Sequence, residues 1–577
     1  MKIALFNASF LSKPLHFTAL ASLVLAIPSS AQDTPSVEIQ ASIGTVSSAD
    51  PRATAAGEEI LRQGGSAADA AMAMMLALTV VEPQSSGIGG GGFLLHFDGE
   101  DGALSTIDGR ETAPLSAKDD LFLDANGERL GFREAVVGGR SVGTPGNMRL
   151  MAKTHEKWGK LKWEALFAPA IRLAEEGFLV NDVLHGRMKR VESIWADLPE
   201  TQKLYWRDGK PAPVGTRIKN PEMANTLRIL AKEGSDAFYK GPIADDIIKT
   251  VQSGHPNKGD LTQGDLSAYK AIERDAVCGS YHEYIVCGMG PPSSGASTVL
   301  QILGQLERFN LGAIGVENPQ SWHLIHESMR LAYADRAKYL ADADFVSVPI
   351  KGLLDPLYLA QRSSLINADT SLLHYDAGTP AGAPARTQAP QNEIPGTTHF
   401  VAADGNGDVV SMTSTVEGPF GSQLISGGFF LNNELTDFTF VPTKDGALVA
   451  NRVQGGKRPL SSMSPTIVFD KNGMPILALG SAGGKRIIMH VAKTLIGVLD
   501  FDLPLDKAIA LPNIYFRKDS VLVEDGTFLS DKKSELSAFG RTVSPANIGS
   551  KVNGAQFIDG KWVGFADPRS PGAAFNE

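Results

Sequence analysis

The chain has 577 residues, 43% of them hydrophobic and 20% charged, with a formal net charge of −10. That length supports one large domain or two ordinary ones around a sizeable core, and the composition is that of a soluble globular protein. The acid excess and the lack of any basic run exclude nucleic acid as the main partner.

In chain order, Lys2 and Lys13 flank the start of an apolar stretch from Phe17 to Ile27, followed by small residues at Ser29 and Ala31. This predicts an export signal over residues 1–31, removed after Ala31. The apolar run is shorter than the roughly 20 residues that cross a bilayer, and no later stretch is long enough. The rest is expected in a periplasm or outside the cell. Pro51 to Gly64 reads as a helix, and Ser66 caps a second one reaching about Val80. GIGGGG at Gly87 to Gly92 precedes a strand rather than opening a helix, so it reads as a packed turn and not as a dinucleotide fingerprint. Gly91 to Phe97 and Leu104 to Asp108 read as paired strands. From about Thr144 to Leu373 the periodicity is mainly helical.

The exception in that stretch is a hairpin around His282-Glu283, flanked by Cys278 and Cys287, the only cysteines. In that register a disulfide and two unpaired thiols are both open. There is no metal-ligand pattern, and no cofactor is expected. Residues 376–396 are rich in Pro, Gly and Ala and read as an exposed linker. Next comes Gly396-Thr397. After it, His399, Val401 and Ala403 alternate with Phe400 and Ala402, then a turn over Asp404-Gly405-Asn406-Gly407, then a returning strand from Val409 to Val416. Strands near Phe429, Thr466 and Ile476 lead to a helix from about Lys485 to Leu499.

A bare threonine hydroxyl is a weak nucleophile, but a free α-amine on the same residue can act as its base. Cutting before Thr397 would create that amine. Several motifs surround this possibility in a fixed order: ADPRATAAGEEILRQGGSAADAA from Ala49, VEPQSSGIGGGGFLLHF from Val81, DGRETAP from Asp108, SVGTPGN from Ser141, PPSSGASTVLQIL from Pro291, LNNELTDF from Leu431, KRPLSSMSPTIV from Lys457, GSAGGKRII from Gly480 and ADPRSPG from Ala566. With them the chain, from about Thr45 to Gly572, resembles the gamma-glutamyltransferase family of N-terminal-nucleophile hydrolases. The resemblance implies an α+β fold, a four-layer αββα sandwich formed jointly by a large subunit (32–396) and a small catalytic subunit (397–577) after self-cleavage.

It also implies roles. Thr397 is the nucleophile, first against Gly396 and then against substrate. Thr415 hydrogen-bonds it, and Gly483 and Gly484 offer backbone N–H groups to an oxyanion. Arg110, Ser461 and Ser462 match carboxylate-binding positions, Asp437 matches the acid that holds an α-ammonium, and Asn433 and Glu434 lie on the same loop. His399 is structural, because an α-amine base makes a catalytic histidine unnecessary. Two departures stand out. Glu417 replaces an asparagine common in the family, and residues 438–457 form a short lid segment without tyrosine.

The reading is a self-processing γ-glutamyl hydrolase and transferase acting on glutathione and other γ-glutamyl compounds, with water or amino-acid and peptide amines as acceptors. Two alternatives stand beside it: an acylase for glutaryl-type amides on the same scaffold, and an inactive periplasmic binding protein for γ-glutamyl compounds.

Overall fold

The computed structural model describes residues 43–253, 255–388 and 396–577. The expected export signal lies outside the described residues, as does the linker segment 389–395.

Two antiparallel sheets form the centre. The first has seven strands, in the spatial order Ala573–Asn576, Gly44–Ser48, Thr397–Asp404, Val409–Thr415, Gly91–Phe97, Leu104–Gly109 and Ile272–Arg274. The second has six, in the order Lys561–Ala566, Asn553–Ile558, Pro475–Gly480, Thr466–Phe469, Tyr284–Gly288 and Val277–Tyr281. The alternation after Thr397 sorts side chains between two cores, as a period of two requires. Phe400 and Ala402 pack with the helices Pro51–Arg62 and Ala67–Val81. Val401 and Ala403 face the other way, into a core shared with Ile467, Leu477 and Leu479 of the second sheet and with the helices Gly295–Leu306 and Arg486–Leu499. Helices therefore cover both outer faces of the sheet pair, which is the four-layer sandwich.

The second of the early helices starts as its sequence dictates. Ser66 accepts from the Asp69 N–H and Asp69 returns the bond to the Ser66 N–H, a complete capping box. The middle of the chain is helical as expected, and the hairpin places Cys278 opposite Cys287. There the open choice resolves: the two form a disulfide, with Cα atoms 4.1 Å apart. The strand near Phe429 belongs to neither large sheet; Phe429–Phe430 pairs only with Ile425–Ser426.

The first sheet interleaves the chain on both sides of Gly396. The strand Thr397–Asp404 pairs with Gly44–Ser48 on one edge and with Val409–Thr415 on the other, which in turn pairs with Gly91–Phe97. Among the described residues, no helix is long and apolar enough to cross a membrane.

Candidate active site

Thr397 opens its strand and faces Thr415, its register partner at the end of the neighbouring strand. Their hydroxyl oxygens are 3.3 Å apart. The Thr415 hydroxyl donates to the Gly396 carbonyl at 2.8 Å and accepts the Glu417 N–H at 2.8 Å. With its own proton committed to the carbonyl, Thr415 can receive one from Thr397. All three groups are buried.

Glycines make this closeness feasible. A Cβ on Gly396 would lie 2.5 Å from the Glu417 carbonyl oxygen, and one on Gly90 would lie 1.9 Å from that of Thr415. The glycine run at 87–92 is thus the packed turn its sequence suggests, pressed against the back of the threonine pair. Glu417 takes a left-handed backbone with φ of 76°, uncommon for a side chain of its size and tolerated only where the surroundings enforce it.

A cavity opens beside the threonines, lined by Arg110, Thr397, Thr415, Glu417, Glu434, Asp437, Ser461, Ser462, Met463, Gly484 and Ile487. Most of the expected residues therefore converge, although they come from five separated stretches of chain. Gly484 lines the cavity with φ of 59° ahead of the helix Arg486–Leu499. Gly483, with φ of 137°, is turned toward His490 and does not line it. Asn433 also stands back from the cavity. Its amide donates to Glu417 Oε2 at 2.6 Å and its carbonyl oxygen accepts the Gly418 N–H at 2.8 Å, so it fixes Glu417 from behind.

The far end of the cavity is a dense buried charge cluster. The Arg110 guanidinium donates to Asp437 Oδ2 at 2.6 Å, to Glu434 Oε1, and to the carbonyls of Pro459 and Leu460 at 3.1 Å each. Its fork is thus shared with two acids, so a ligand carboxylate at Arg110 has to join or displace one of these contacts. Burial disfavours this charge, but the adjacent Glu434, Asp437 and Glu111 outweigh it and hold Arg110 firmly protonated. Burial pushes the Glu434 carboxyl well above the usual carboxylate range against the pull of Arg110.

Two contributors escaped the sequence reading. Arg336, in the last turn of the helix Pro319–Tyr339, donates to Ser462 Oγ at 2.7 Å and to Ser294 Oγ at 2.8 Å. Glu111, the neighbour of Arg110 in DGRETAP, is fully buried against the cluster. Nothing local marks either residue; a polar residue on an otherwise buried helix face was the one signal for Arg336. His399 is part of the strand Thr397–Asp404, with Nδ1 2.8 Å from Thr413 Oγ1, and burial lowers it to about 3, so it is a neutral core residue as expected.

Residues 53–576 match the family model described as gamma-glutamyltranspeptidase. The chain belongs to this family. It is 38% identical over 546 residues to a glutathione hydrolase proenzyme of Bacillus subtilis (strain 168), covering 92% of this chain and 91% of that one. It is 32% identical to the acylase ACY 1 proenzyme of Pseudomonas sp. (strain V22), covering 92% of each. Among solved structures it is similar to a cephalosporin acylase from Bacillus halodurans, with a TM-score of 0.83 and 27% identity over 96% of this chain and 99% of that chain. The gamma-glutamyltranspeptidase family membership is thus firm, while both glutathione hydrolases and acylases stand among the relatives.

Proposed function

We propose that the protein is an exported, self-cleaving γ-glutamyl hydrolase and transferase, with glutathione and related γ-glutamyl compounds as donors. The observation that carries this reading is the relay from Thr397 to Thr415 to the Gly396 carbonyl. A hydroxyl already bonded to that carbonyl oxygen polarises it for attack. Thr397 Oγ bonds to the Gly396 carbonyl carbon, the Gly396–Thr397 C–N bond breaks, and the departing amine takes up the hydroxyl proton. Water then hydrolyses the ester, giving a Gly396 carboxylate and freeing the Thr397 hydroxyl beside the α-amine that the first step released. The pieces become residues 32–396 and 397–577. Their interleaved strands would keep them together as a heterodimer without a covalent link.

In the mature enzyme the amine takes the Thr397 hydroxyl proton while Oγ attacks the γ-amide carbonyl. The Gly484 N–H, with Gly483 shaping the turn, stabilises the oxyanion, and the leaving amine departs with the proton. Water, or the amine of an amino acid or peptide, then releases the acyl group. At the other end the donor's zwitterionic head exchanges charges with the cluster. Its ammonium goes to Asp437 and Glu434, with Glu417 nearby, and its carboxylate goes to Arg110, Ser461 and Ser462. Export is supported by the leader-like residues 1–31 and by the Cys278–Cys287 disulfide, a bond suited to oxidising compartments.

The acid cluster favours this reading over an acylase, since buried carboxylates at the head of the pocket have no use for a glutaryl group lacking the amine. A chromogenic γ-glutamyl anilide compared with glutaryl and acetyl anilides tests it. Preferred turnover of the γ-glutamyl compound is expected. Equal or faster turnover of the glutaryl compound would overturn the assignment, and no turnover by cleaved protein would leave a binding protein.

A further inference from the structure

Three carboxyl groups, of Glu111, Glu434 and Asp437, face the guanidinium of Arg110 at the head of the cavity, and Glu417 adds its charge near Glu434. The Glu111 and Glu434 side chains are within hydrogen-bonding reach of each other. Glu434 Oε1 accepts from Arg110 Nη1, and Glu111 Oε2 lies 3.9 Å from that same nitrogen. Their relative exposures are 0% and 1%. Both oxygens of Glu111 and Oε2 of Glu434 are buried without a well-aligned donor among the described residues. Two ionised carboxylates cannot share such a place, because a buried acceptor lacking a donor is costly and like charges at contact are worse. The Glu111 backbone N–H favours its own carboxylate but does not offset the burial. Gly91 and Gly143 wall Glu111 so tightly that a Cβ on Gly91 would lie 2.4 Å from its Oε2. The Tyr269 hydroxyl donates to the Arg110 carbonyl and the Tyr239 hydroxyl to that of Pro145, so both hydrogens are already placed.

We propose that Glu111 and Glu434 hold one proton between them, and that binding of the donor's α-ammonium expels it. Glu111 is thereby a positioning residue that keeps Glu434 aimed into the cavity and links recognition of the ammonium to pH. This rests on the γ-glutamyl reading above. The proton belongs to the pair and not to either residue. Burial raises both carboxyls, Glu111 to about 7, so the pair retains its proton into the neutral range. An ammonium set against the pair lowers its affinity for the proton, as any adjacent opposite charge does. Ligand binding in that window then releases a proton, and affinity strengthens as pH rises, by up to about tenfold per pH unit for one proton. A glutaryl ligand, without the ammonium, gains nothing from the expulsion.

The test is calorimetric titration of the matured enzyme with L-glutamate and with glutarate, in two buffers of different ionisation enthalpy at a pH near neutral. The expected result is about one proton released per L-glutamate bound, none for glutarate, and release largely lost in Glu111→Gln, whose amide hydrogen-bonds Glu434 without titrating. L-glutamate that binds wild type with no proton release overturns the proposal, whatever the fate of the variant. Release that persists undiminished in a folded Glu111→Gln overturns the assignment to this pair. Glutarate binding with no L-glutamate binding would instead overturn the γ-glutamyl reading on which the proposal stands.

Discussion

The two ends of the cavity are built from opposite materials. At the Thr397 end the groups are neutral: two hydroxyls, a peptide carbonyl, backbone N–H groups and glycines that let them approach. At the Arg110 end they are charged and buried: a guanidinium, four carboxyls and, behind the serines, Arg336. Neutral groups can be assembled closely without a desolvation penalty for charge, so the reacting end depends on backbone geometry. Buried charges survive only as a balanced set, so the recognition end depends on charge count. The first end should fail in rate, and the second in stability and affinity.

Substitutions can break that contrast. Thr397→Ala should leave a single uncut chain and reduce turnover by on the order of a millionfold, with its thermal midpoint near that of uncut wild type. Intact mass under denaturing conditions, beside an anilide assay, checks it; two pieces in the variant would remove Thr397 from the role of nucleophile. Arg110→Gln should do the reverse. It strands Glu434 and Asp437 without their cation and should cost about 3–5 kcal/mol of stability, read as a lower denaturant midpoint. A variant of unchanged stability but raised KM would mean that the cluster is not balanced as its geometry indicates.

Smaller effects sharpen the contrast. Thr415→Val keeps the strand and its shape but removes the bonds to the Gly396 carbonyl and the Glu417 N–H. Such bonds contribute about 1–3 kcal/mol when buried partners are left unpaired. Processing followed by gel or mass should slow by roughly ten- to a hundredfold, with KM of the cleaved enzyme changed far less than kcat. Acidification should weaken the layer beneath the nucleophile. His399 is held neutral, its pKa lowered to about 3 by burial, whereas in the unfolded chain it titrates near 6.5. The unfolded state therefore takes up a proton that the folded state refuses, and stability falls as pH drops from about 6.5 toward about 3. The slope from this residue is about 1.4 kcal/mol per pH unit. In His399→Asn the thermal midpoint should decline less steeply over that range.

How much of this was legible in the sequence depended on distance along the chain. The helix after Ser66, the two-sided strand after Thr397, the glycine turn at 87–92 and the cysteine hairpin were readable because each is set by neighbours within a few residues. The edge strand Ala573–Asn576 and its neighbour Gly44–Ser48 were not, because only their pairing with each other, and of Gly44–Ser48 with Thr397–Asp404, makes them strands. The same holds inside the site. Thr397, Arg110, Asp437 and the serines stand in recognisable motifs, but Arg336 sits on a helix with no mark except its buried neighbours.

By itself the sequence determined the hairpin after Thr397 and the family, and it picked out Thr397 as the candidate nucleophile with a list of candidate polar residues for a zwitterion, since these depend on residue type and short-range order. Only the tertiary structure decided which of them meet. It engaged Arg110 with Asp437 and Glu434, set Asn433 behind Glu417, left Gly483 out of the cavity lining and brought Glu111 to Glu434. The physical reason is that a buried charge takes its properties from the charges folded against it, and here those arrive from more than 300 residues away.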